Sequence, residues 1–321
     1  MKKLTVFGTL ALLLCYLLSS STSAQDSFTG QWLIEHTPDP KAIHLTMRYE
    51  KTGSNGHSIS QRGGSVTWDQ LIGLSEAQTK SNGAPVQFQL RRDAGTFLCE
   101  GWFKDGKGAG HWTFSANEDF VGELRKRGYE APTFEQQFSM AMHDVSHDFV
   151  EELRAQGYER PSLAQLVRMG KHGVRLEYVR ELKALGYKVQ SVDLLTRMRD
   201  HGVSTNFIRE FDAAGYKNLP VEQLIRTRDH GVSTKYIQEL QALGYERIPL
   251  DELIRMRDHG VSSNFISELK GHGIERLPIE QLIKMRDHGV TSDFIQRLKE
   301  RGFTDLSIEK MIELRDHGIA K

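Results

Sequence analysis

Two cysteines in 321 residues are too few for a disulfide-dense scaffold or a four-cysteine zinc site. Net charge is missing as well: 42 Lys and Arg face 42 Asp and Glu. A neutral chain has no global field to hold nucleic acid or an anionic membrane surface. Mean hydropathy is −0.47, which excludes a multi-span membrane protein. The sequence also lacks H-E-x-x-H, G-x-S-x-G, a P-loop and a Rossmann fingerprint. No catalytic activity and no cofactor are expected.

The one long apolar run, Leu4 to Leu18, follows Met1-Lys2-Lys3 and precedes Thr22-Ser23-Ala24. A basic start, a short apolar stretch and a small-x-small end make residues 1–24 a secretory signal peptide. Some 15 apolar residues is short of the ~20 that span a bilayer, so a membrane contact would need an uncleaved leader. Cleavage after Ala24 removes Cys15 and leaves Cys99 as the sole cysteine. The mature chain must then be held by its cores alone. The expected compartment is outside the cytoplasm of a bacterium, periplasmic or extracellular.

Residues 25–117 hold all four tryptophans: Trp32, Trp68, Trp102 and Trp112. They also hold runs of period two. Leu98, Glu100 and Trp102 alternate with Phe97, Cys99, Gly101 and Phe103. Strands are expected near 28–36, 42–51, 57–62, 65–69, 85–92, 95–104 and 109–115, with a helical turn in 68–79. Asp105-Gly106 marks a hairpin, and Gly63-Gly64 an earlier turn. The expected product is a small antiparallel β-sandwich or partial barrel. Its tryptophans serve either as core, which a small domain without a disulfide needs, or as stacking surfaces for a ligand such as a sugar ring. His36, His44, His57 and His111 lack ligand spacing, and no metal site is expected.

From residue 118 to 321 the chain repeats itself every 29 residues. His143, His172, His201, His230, His259, His288 and His317 share one position, and seven glycines from Gly128 to Gly302 share another. Such a period is the signature of a stacked array. Each unit reads as two short helices. In one unit, Pro220 opens helix A, which Val221, Leu224, Ile225 and Arg228 line on one face. His230-Gly231 ends it, Ser233 or Thr234 caps helix B, and Gly244 ends that in turn. Helices this short do not persist alone. Neighbouring units must share their faces, which predicts an α-solenoid of about seven two-helix repeats. The β domain is expected to cover its first end, and Glu300-Arg301 leave its last helix B facing water.

Five units carry Asp-His-Gly at the corner: Asp200-His201-Gly202, Asp229-His230-Gly231, Asp258-His259-Gly260, Asp287-His288-Gly289 and Asp316-His317-Gly318. An Asp in the last turn of a helix opposes the macrodipole, so it needs a compensating contact. The expectation is a ladder in which each Asp accepts from the following corner or from a neighbouring Arg such as Arg228 or Arg257. The His would donate to the open carbonyls of helix A. The histidines are expected to cap and not to bind metal, because equivalent positions lie a helix pair apart, too far to share one ion. Arg226, Arg228, Arg255 and Arg257 form either internal ion pairs or a basic stripe for an acidic partner.

The segments "SVDLLTRMRDHGVSTNFIREFDAAGYKNLP" and "LDELIRMRDHGVSSNFISELKGHGIERLP" resemble helical repeats of uncharacterised exported bacterial proteins. They are similar to the extracytoplasmic tails of sensor-type membrane zinc metallopeptidases, and "GTFLCEGWFKDGKGAGHWTF" resembles the β segment that precedes such tails. This chain lacks the membrane part and the protease motif, so no catalytic residue carries over. The resemblance implies an accessory role in envelope sensing or binding. Two functional readings remain from the residues: a protein-interaction scaffold built on the repeat surface, or a ligand- or glycan-binding β domain on a helical spacer.

Overall fold

The structure, a computed structural model, describes residues 28–53 and 56–319. The leader expected at 1–24 lies outside the described residues. The chain divides into two compact units, with the division between His147 and Asp148.

The first unit is built on seven strands: β1 (Thr29–His36), β2 (Ala42–Gly53), β3 (Gly56–Thr67), β4 (Leu71–Ile72), β5 (Pro85–Arg92), β6 (Gly95–Lys104) and β7 (Lys107–Ala116). They form one curled antiparallel sheet in the order β3-β2-β1-β7-β6-β5-β4. A 3-10 turn at Trp68–Gln70 and a one-turn helix α1 (Glu76–Thr79) interrupt it. Asp105 and Gly106, at φ 51° and 76°, make the β6–β7 hairpin, as the dipeptide predicts.

Two expectations are corrected here. Gly63-Gly64 is no turn: both residues continue β3 and pair with Thr46 and Leu45. The role of Gly63 is room, since a Cβ there would stand 2.9 Å from His44 Nε2. Among the described residues there is also no second sheet, so the sandwich alternative gives way to the partial barrel. The inner face is covered by a helix, α3 (Phe134–Met142), which follows α2 (Glu118–Lys126). Phe138 on α3 lies 4.0 Å from the ring of Phe28, 5.0 Å from Tyr49, 5.3 Å from Phe114 and 5.9 Å from Trp112. The buried Gln137 amide donates to the carbonyls of Ala94 and Asn117, which fixes α3 over the end of β6 and β7. The first unit therefore ends about one helix pair later than the strands do.

The remaining helices are α4 (His147–Ala155), α5 (Leu163–Lys171), α6 (Leu176–Ala184), α7 (Val192–Asp200), α8 (Thr205–Ala213), α9 (Val221–Asp229), α10 (Thr234–Ala242), α11 (Leu250–Asp258), α12 (Ser263–Gly271), α13 (Ile279–Asp287), α14 (Ser292–Glu300) and α15 (Ile308–Asp316). Each of α2 to α15 has nine residues, too short to hold without neighbours. Side chains cap many of their starts: Ser191, Ser204, Ser233, Ser262, Thr291 and Ser307 each accept from a backbone N–H in the first turn, whereas α9, α11 and α13 open on Pro220, Pro249 and Pro278 without such a bond. Their ends use glycine. Gly231 (φ 66°) donates to the Arg228 carbonyl, and Val232 donates back to Thr227, which is the Schellman closure. Val232 is buried by it. Helices two apart in sequence pack together, as α5 with α7, α6 with α8, and α10 with α12.

Candidate functional site

The corner histidines form one chain of contacts. His201 Nδ1 donates to Asp229 at 2.6 Å, His230 to Asp258 at 2.5 Å, His259 to Asp287 at 2.7 Å and His288 to Asp316 at 2.9 Å. His172 bonds Asp200 in the same way. A carboxylate only accepts, so the proton sits on Nδ1 in every rung. The expected ladder exists, but its direction and its donor differ from the expectation. Each Asp accepts from the preceding corner's His, not from the following corner or an Arg. The carboxylate also outcompetes the helix carbonyls for the imidazole. Two corners differ: His143 accepts from Arg62, and His317 donates to the Glu313 carbonyl at 2.7 Å. The rungs offset the unfavourable position of an acid at a helix end.

A second set runs along the exposed side of the odd-numbered helices. Arg197 grips Glu222 through both guanidinium nitrogens at 2.9 Å, and Arg226 donates to Asp251 at 2.6 Å. Arg255 bonds Glu280 with two nitrogens, one at 2.7 Å, and the guanidinium holds that carboxyl below the usual carboxylate range. These pairs are exposed, so solvent screens them and each contributes little to stability. The stripe that Arg226 and Arg255 begin is therefore one of alternating sign.

The other two candidate arginines, also exposed, lie over aromatic rings. The Arg228 guanidinium lies 5.0 Å from the centre of the Phe207 ring, and Arg257 lies 5.1 Å from that of Tyr236. Arg199, Arg286 and Arg315 repeat the arrangement over Tyr178, Phe265 and Phe294. Each such cation–π contact ties one unit's helix A to the preceding helix B. The even-numbered helices add a third set, in which Thr205, Thr234 and Ser263 donate to Glu181, Glu210 and Glu239. The recurrence of an aromatic and of an Arg 21 residues later was visible in the sequence, but their pairing was not assigned.

The four tryptophans separate into two groups. Trp32 and Trp112 are 2% and 1% exposed, and their indoles donate to the carbonyls of Glu100 and Gln31. Trp68 is half-buried and donates to the Pro40 carbonyl at 3.0 Å. Trp102 is 54% exposed and projects from the opposite face of β6 to Phe97, Cys99 and Phe103. Of the four candidate ligand aromatics, the structure leaves Trp102 available. Burial pushes the Cys99 thiol up to about 12, far from nucleophilic at neutral pH.

Among the described residues no three His, Cys, Asp or Glu side chains gather as a metal site, and no helix is long and apolar enough to cross a membrane. No protein-family model, curated protein or solved structure matches the chain.

Proposed function

We propose that this is an exported, non-catalytic interaction protein whose helical repeats form an α-solenoid and present one recurring surface to a protein partner. The observation that carries the reading is the five-fold recurrence of a His–Asp contact at the same separation of 28 residues. Contacts that repeat in sequence repeat their surroundings too, and a surface of that kind suits extended recognition. The exposed Arg226–Asp251 and Arg255–Glu280 pairs give the partner face both signs of charge, so the partner is itself of mixed charge and not strongly acidic. Arg228 and Arg257, each over an aromatic ring of the preceding helix, tie neighbouring helices together.

Export is the other half of the reading. It rests on the leader pattern of residues 1–24, and the buried Cys99 thiol would be tolerated in an oxidising compartment. The resemblance of the repeats to the tails of membrane-bound sensor peptidases favours an accessory role in envelope signalling.

The test is affinity capture from the periplasmic fraction of cells that express the full chain. Wild type is expected to retain a partner that Arg226→Ala/Arg255→Ala loses while its melting curve stays the same. Equal capture by both proteins, or recovery of the chain from the cytoplasm with residues 1–24 attached, overturns the reading.

A further inference from the structure

The outer face of the β-sheet carries a second feature that the repeat surface does not explain. The strand register aligns six outward side chains in one row across six strands: Gln87, Glu100, His111, Gln31, Arg48 and Gln61. All six are exposed. Among the described residues none of these side chains has a hydrogen bond or ion pair. Adjacent strands lie about 4.8 Å apart, so the row runs for about 24 Å at right angles to the strands. Its charged members, Arg48 and Glu100, are of opposite sign.

Apolar groups border this row. Trp102, Ala109 and Leu33 form the next cross-strand row on one side, and Leu98 stands on the other. Seven large apolar side chains are exposed among the described residues, and five of them (Leu33, Ile59, Ile72, Leu98 and Trp102) are on this sheet. A solvated sheet face has no need of them. Two depressions follow one another along the row. One of about 420 Å³ is lined by Trp102, Leu33, Gln31, Arg48 and His111. The other, about 570 Å³, is lined by Gln87, Gln89, Leu98 and Glu100. Both fall in the size range of ligand sites. The floor is rigid, because the buried Trp32 and Trp112 indoles bond the backbone of Glu100 and Gln31 from below.

We propose that this face binds a linear, uncharged glycan lying along the polar row. An exposed indole offers a flat apolar surface to the C–H face of a pyranose ring. Amides donate and accept at once, which matches the vicinal hydroxyls of a sugar. One polar side chain recurs per strand, and the strand spacing is close to the length of one sugar in an extended chain. The row has no net charge of its carboxylate and guanidinium, so a charged polymer gains nothing over a neutral one. A peptide adding to a sheet would use an open edge and its backbone groups, whereas this site is a face.

The test uses the full chain and a panel of probes: cellohexaose, chitohexaose, maltohexaose and the corresponding monosaccharides, followed by tryptophan fluorescence and calorimetry. At least one hexasaccharide is expected to quench the emission and bind, with the monosaccharides much weaker. Trp102→Ala is expected to remove the quench and weaken binding about tenfold, the scale of one aromatic stacking contact. Arg48→Ala should weaken binding by itself, and Trp68→Ala should leave it unchanged. Melting curves of Trp102→Ala and Arg48→Ala should overlay wild type, since both side chains are exposed. Failure of all three hexasaccharides to bind, or binding that survives Trp102→Ala, overturns the proposal. Equal Trp102-dependent binding of an unrelated extended peptide would reveal a general adhesive patch and overturn the glycan assignment.

Discussion

Gly202→Ala is expected to destabilise the protein more than Gly231→Ala, although the two glycines end equivalent helices. Both are left-handed, at φ 70° and 66°. An added Cβ costs about 1–2 kcal/mol at either position for that conformation alone. The neighbours differ. A Cβ at residue 202 would stand 3.0 Å from Arg228 Nη2, whereas at residue 231 the nearest atom is Arg257 Nη2 at 3.5 Å. The first contact forces the guanidinium to move, and that guanidinium lies over the Phe207 ring. An exposed cation–π contact is worth about 0.5–1 kcal/mol, so Gly202→Ala should lose about 1.5–3 kcal/mol and Gly231→Ala about 1–2. Urea unfolding of the full chain, followed by circular dichroism, measures both. The same pair of changes is then made in Arg228→Ala and Arg257→Ala backgrounds. The excess loss at Gly202 should vanish once Arg228 is gone. Equal losses in the wild-type background, or an excess that persists without Arg228, would refute the coupling of corner and ring.

Other perturbations read other contacts. Asp229→Asn and Asp258→Asn each replace a half-exposed rung acceptor, and each should lower stability by up to about 1 kcal/mol. The two losses are expected to add; if neither change moves the melting curve, the ladder contributes nothing. Lys126 and Arg127 hold the Glu123 carboxyl down to about 2. A carboxylate depressed on folding stabilises the fold above its unfolded value of about 4.3 and loses that contribution as pH falls toward 2. Glu123→Gln should therefore separate from wild type in melting temperature at pH 7, and the two curves should converge near pH 2. Cys99, buried and pushed up to about 12, should resist a thiol reagent at pH 8 in the native protein and react at once in denaturant. Rapid native labelling would contradict its burial.

The strands at 85–92 and 95–104 were legible because alternation of apolar and polar residues is a local property, and a half-buried sheet enforces it. The same parity already set Trp102 beside Leu98 and Glu100 and against Phe97 and Phe103. It could have told the exposed indole from the buried pair at Trp32 and Trp112. Gly63-Gly64 misled for a physical reason: glycine marks turns, but here Gly63 makes way for His44 across the hairpin. A sandwich was one of two expected forms because nothing local reveals that Phe138, 22 residues beyond the last strand, covers the sheet's inner face. The helices and their caps were readable from start and stop signals. The partner of each corner Asp was not, since the donor lies 28 residues earlier and local rules favour nearby carbonyls.

His317 turns back on its own helix where the five corners from His172 to His288 reach forward. Each of the five forward rungs crosses a single junction. Deleting residues 220–248 would hand Asp258 to His201 with the same geometry that His230 supplies today, and duplicating that stretch would merely insert one more identical joint. If the repeats stack as proposed, their number is a dimension along which the molecule can be lengthened or shortened without redesigning these joints.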